Sequence, residues 1–77
     1  MNILHLTSKR TEHYFNLNKV SSINYVGATA YFIVDGEPYE VFLKEENFKK
    51  IAERWVDVMS YDNPLGIMLI DEREDNQ

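Results

Sequence analysis

The chain has 77 residues, of which 44% are apolar, no cysteine and a net charge of −5. That length supports one domain with a modest core and leaves little chain for a deep cleft. The composition excludes disulfides, zinc–thiolate sites and cysteine nucleophiles. No apolar run approaches the roughly 20 residues of a membrane-spanning helix, and no basic segment followed by an apolar one opens the chain, so it reads as a small protein without a leader.

In chain order, Asn2 to Thr7 reads as a short strand carrying Ile3, Leu4 and Leu6. Ser8 to Glu12 is polar and turn-like, His13 to Leu17 is a second short strand, and Ile23 to Val26 is a third that closes at Gly27. The strongest local signal follows. Two β-branched and aromatic runs, Ala28 to Val34 and Glu37 to Lys44, are separated by Asp35-Gly36. Asp-Gly between such runs predicts a type I′ hairpin, because both turn residues need positive φ. A two-residue loop sets the register: Val34 opposes Glu37, Phe32 opposes Tyr39, Ala30 opposes Val41, and Ala28 opposes Leu43. Pro38 then falls at a non-hydrogen-bonded position with its nitrogen turned away from the hairpin, which predicts an exposed sheet edge.

Phe48, Ile51, Ala52, Trp55, Val58 and Met59 form one helical stripe. Trp55 sits at its centre and is expected in the core. Asn47 is the expected N-cap, Glu45 and Glu46 pair with Lys49 and Lys50, and Asp62-Asn63-Pro64 is the expected stop. Ile67 to Ile70 is a continuous apolar run and is expected as a strand buried on both faces, with a strand–helix–strand crossover leading into it. The expected fold class is α+β: a small, mainly antiparallel sheet of about 4–6 short strands with one amphipathic helix packed on one face. The expected organisation is one compact domain over 1–70 and an acidic C-terminal tail over 71–77.

No residue pattern nominates an active site. His5 and His13, with Glu12 as a third ligand, lack the spacing of known metal sites. Ser8, Ser21, Ser22 and Ser60 stand in no nucleophile motif, and three glycines form no phosphate-binding loop. Glu37 and Glu40 fall on opposite faces of a strand, so they do not converge as a carboxylate pair. The expectation is a protein that is not an enzyme, with no cofactor and no metal.

Charge supplies the functional expectation. Residues 1–34 carry +2 and residues 35–77 carry −7. A nucleic-acid binder would use Lys9, Arg10 and Lys19 with Tyr14, Phe15, Tyr25 or Tyr31 as stacking platforms. Three bases are few, and the acidic second half argues against direct nucleic-acid binding. The acidic clusters are weighed as solubilising surface against electrostatic docking onto a basic partner. In size and charge the chain resembles small inhibitors and regulators encoded by bacterial viruses and mobile elements, anti-CRISPR proteins among them. No motif carries that resemblance, so it transfers no residues; it implies a cytoplasmic, non-catalytic module that occupies a basic, nucleic-acid-binding surface of another protein. The expected partner-binding residues are Asp35, Glu37, Tyr39, Glu40, Phe42, Asp71, Glu72, Glu74 and Asp75. The alternative expectation is a homo-oligomer joined through the sheet edge or the mixed sheet face.

Overall fold

A computed structural model describes residues 2–9, 11–60 and 65–74. It holds six strands and one helix: β1 (Asn2–Thr7), β2 (Glu12–Asn16), β3 (Val20–Val26), β4 (Thr29–Val34), β5 (Glu37–Phe42), α1 (Glu45–Ser60) and β6 (Gly66–Asp71). Short 3-10 turns occupy Leu17–Lys19 and Glu72–Glu74. The α+β class is as expected, and the strands divide into two three-stranded sheets, ordered β2-β1-β6 and β3-β4-β5.

Two tight turns build the second sheet. Asp35 and Gly36 both have positive φ, as a type I′ turn requires, and the β4–β5 register is the one expected from the sequence. Gly27 and Ala28 make a second turn with positive φ at both residues, joining β3 to β4 with Val26 opposite Thr29. Ala28 accepts that conformation without glycine's freedom, and its carbonyl takes the Leu43 N–H at 3.1 Å. A bulge between Val20 and Ser22 bends the start of β3.

In the first sheet β2 returns antiparallel to β1, and β6 pairs with β1 in parallel. The helix therefore links two sheets, so β5, α1 and β6 do not form the expected crossover within one sheet. The sheets share one core. Leu4 and Leu6 of β1, Phe15 of β2 and Ile70 of β6 meet Ala30, Phe32 and Val41 of the second sheet. Phe15 is its aromatic hinge, with ring centroids 5.5 Å from Phe32 and 5.0 Å from Tyr39. Ile51 and Val58 of α1 are buried in the same cluster. Trp55 packs against it half-buried, with Nε1 donating to the Val20 carbonyl at 3.2 Å. No helix is long and apolar enough to cross a membrane among the described residues.

Two local expectations are corrected. The helix begins at Glu45, so Lys44 occupies the cap position: its carbonyl accepts from the Asn47 and Phe48 N–H groups. Asn47 lies inside the first turn, and its side chain bonds Glu72 instead. The expected stop at Asp62-Asn63-Pro64 lies outside the described residues. The apolar run of β6 is buried on one face only: Met68 and Ile70 turn inward, while Ile67 and Leu69 are 62% and 71% exposed. The reason is geometric. The helix and the second sheet cover one face of β2-β1-β6, and no described element covers the other.

Ile51 has no exposed surface and fills the junction of helix and sheets. Ile51→Ala should cost about 2–5 kcal/mol through lost burial and a residual cavity, read as a lowered urea midpoint at unchanged m-value.

Candidate functional site

A groove of about 560 Å³ lies between the β1–β2 turn and β5. Ser8, Lys9 and His13 contribute one side and Glu40 and Phe42 the other, with Glu72 among the lining residues. Both β2 and β5 are edge strands in their sheets.

The β4–β5 register alternates hydrogen-bonded and free positions. Pairs 34–37, 32–39 and 30–41 exchange ladder bonds, so residues 38, 40 and 42 turn their backbone groups outward. Pro38 has no N–H to offer. Glu40 and Phe42 do, and their side chains stand on the exposed face. Phe42 is 76% exposed, an unusual position for a phenylalanine in a strand. Tyr31 and Ile33 lie behind it on the same mixed face of β4.

The expected partner-binding residues do not lie on one continuous surface. Glu40 and Phe42 converge on the groove. Asp35 and Glu37 stay exposed at the hairpin turn. Tyr39 faces inward, half-buried between Phe15 and His13, and belongs to the core. Asp71 is held by its neighbour: Arg73 Nε and Nη2 donate to its two oxygens at 3.0 and 3.1 Å, and this contact holds the Asp71 carboxyl below its ordinary range. Glu72 is structural as well as groove-lining. Its Oε2 accepts the Lys44 N–H at 3.1 Å and the Asn47 side-chain amide, placing a carboxylate at the positive end of α1. Asp75 and the side chain of Glu74 lie outside the described residues.

His5 and His13 do not make a metal pair. His5 lies on the outer face of the first sheet, stacked on Tyr14 with centroids 4.2 Å apart, while His13 lies on the inner face against Phe15. Among the described residues no three His, Asp or Glu side chains gather to hold a metal ion. The aromatic platforms weighed for nucleic acid are divided too. Phe15 is buried, and Tyr25 stacks on Phe48 with its hydroxyl donating to the Leu43 carbonyl at 2.7 Å. Tyr14 and Tyr31 lie on different sheets, and Arg10 lies outside the described residues. Compared with known proteins, the chain matches no protein-family model, no curated protein and no solved structure.

The carboxylate cap has a measurable signature. Partial burial, with Glu45 and Glu72 nearby, raises the Tyr25 hydroxyl above its ordinary value of 10.0. A raised phenol contributes stability that is intact below the unfolded-state value and is lost as pH rises through the folded-state value. Glu72→Ala should therefore do two things at once. It should cost about 1 kcal/mol by removing the cap, and it should shift the Tyr25 titration, followed by ultraviolet absorbance of the phenolate, downward.

Proposed function

We propose that this domain is a non-catalytic protein-binding module, an inhibitor or regulator that occupies an extended, basic segment of a partner protein. The observation that supports it best is the β5 edge. Two residues with outward main-chain groups, Glu40 and Phe42, border a groove of about 560 Å³. Strand addition to such an edge draws affinity from backbone hydrogen bonds and specificity from alternate side chains.

The side chains define the guest. Phe42 offers an aromatic anchor with little cover, the kind of residue that dominates interface energetics. Glu40 projects from the same face, and Asp35 and Glu37 lie at the adjoining turn, so this end of the hairpin carries three exposed acids. A basic segment is steered toward it, and rim charges of this kind act on association rate and salt dependence. Pro38 ends the pairing on one side, which limits the added strand to the stretch beyond it. We place this binding in the cytoplasm, with which a cysteine-free composition is compatible.

The test is capture from a bacterial lysate on immobilised wild-type protein, Phe42→Lys and Glu40→Lys in parallel, with salt-gradient elution. Phe42 and Glu40 are exposed, so both variants should fold. The expected result is a protein retained by wild type and eluted by moderate salt. It should be weakened by about tenfold or more in Phe42→Lys, as for an interface anchor, and should elute at lower salt from Glu40→Lys. Equal retention by all three would move the contact off this edge.

A further inference from the structure

The outer face of the first sheet and the open edge of β6 are not used by the β5 groove. Ile67 and Leu69 project from this face beside Ile3 and His5 of β1, and Tyr14 of β2 continues the row. Ile67, Leu69 and Tyr14 are all exposed. Among the described residues the backbone beneath them also pairs on one side only. On β1, the pairs 4–15 and 6–13 bond to β2, as the Ser8 N–H to Thr11 carbonyl bond at the end of the same ladder sets. Residues 3, 5 and 7 therefore bond to β6. In a parallel ladder each of these reaches the residues flanking its partner, which uses Gly66, Met68 and Ile70. Ile67, Leu69 and Asp71 turn their N–H and carbonyl groups to the open edge.

Natural edge strands are guarded by proline, lysine, inward-pointing charges or a bulge. β5 carries Pro38 and Glu40. From Gly66 to Ile70, β6 has no such guard, and it presents two exposed aliphatic side chains with two unpaired main-chain positions.

We propose that β6 pairs antiparallel with β6 of a second copy of this chain, about a two-fold axis near Met68. The strand is complementary to itself in two ways. In the register that places Ile67 opposite Leu69 of the other copy, the outward groups of both exchange about four main-chain hydrogen bonds. The side chains at those positions are apolar on both copies, so they form one continuous ladder; a register centred on Leu69 would set Ile67 against Asp71. The symmetry closes the assembly at two copies along this edge and yields a six-stranded sheet.

The proposal is tested by mass from light scattering and by residue-level amide exchange, on the full chain between about 10 µM and about 1 mM. The expected mass rises toward twice the 9.1 kDa of one chain. The Ile67 and Leu69 amides should gain protection in step with it, while those of Met68 and Ile70 are protected throughout. Leu69→Lys should keep the circular dichroism of the wild type and raise the dissociation constant by about tenfold or more. Leu69→Pro gives a second check: the nitrogen at that position does not bond to β1, so the monomer should fold while dimerisation is lost. A monomer at every concentration overturns the proposal. So does a dimer whose Ile67 and Leu69 amides stay open, or protection that appears only on adding a different protein. Phe42→Lys should leave the dimer unchanged, which separates a failure here from a failure of the groove.

Discussion

One core has to serve both sheets, and it has room for only one face of each. Phe15 shows how tightly that core is shared: its ring lies against Phe32 and Tyr39 of the opposite sheet and within the cluster that includes Leu4 and Leu6. Among the described residues one helix completes that cluster and nothing further covers the outer faces. The exposed aliphatics of β6 and the exposed phenylalanine of β5 follow from this shortage. They lie on the faces that the shared core turns away from itself.

What could be read from the sequence was the part controlled by local chemistry. Asp35-Gly36 dictates a two-residue turn, and a two-residue turn dictates the pairing from Val34–Glu37 down to Ala30–Val41. The same logic placed Pro38 on an edge. The amphipathic stripe of α1 was legible because Phe48, Ile51, Trp55 and Val58 repeat at helical spacing. Gly27-Ala28 makes an equivalent turn but was hidden, since alanine gives no sign that it will take positive φ.

The rest depended on contacts distant in sequence. An unbroken run such as Ile67 to Ile70 states that each residue tolerates burial, not which face finds a partner; only the assembled sheet exposes Ile67 and Leu69. The helix start was misplaced for a similar reason. Asn47 has the side chain of an N-cap, but a carboxylate arriving from Glu72, 28 residues beyond Lys44, bonds that part of the helix and draws the Asn47 amide to itself. The acidic C-terminal segment likewise read as one charged patch, although Asp71 is committed to Arg73 and Glu72 to α1. Of the expected docking residues, Glu40 and Phe42 converge on the groove because strand alternation puts them on one face. That was available from the register alone.

The two open edges differ in a way that bears on their use. On β5, the missing donor at Pro38 and the charge at Glu40 would shorten the pairing stretch of the proposed interface and make it selective: a guest would have to tolerate the proline and match the acid. Such an edge suits a different partner and discourages self-pairing, because a second copy would bring Glu40 toward another acidic hairpin. From Gly66 to Ile70 β6 carries no such guard, so the guest proposed for it is a strand with the same pattern run in reverse. These edges belong to different sheets, with β2 and β1 between β6 and the groove side of the first sheet. Self-association through one thus leaves the other free, and pairing β6 would display two acidic grooves on one particle, where a repetitive or two-fold partner would be held more tightly than by either groove alone.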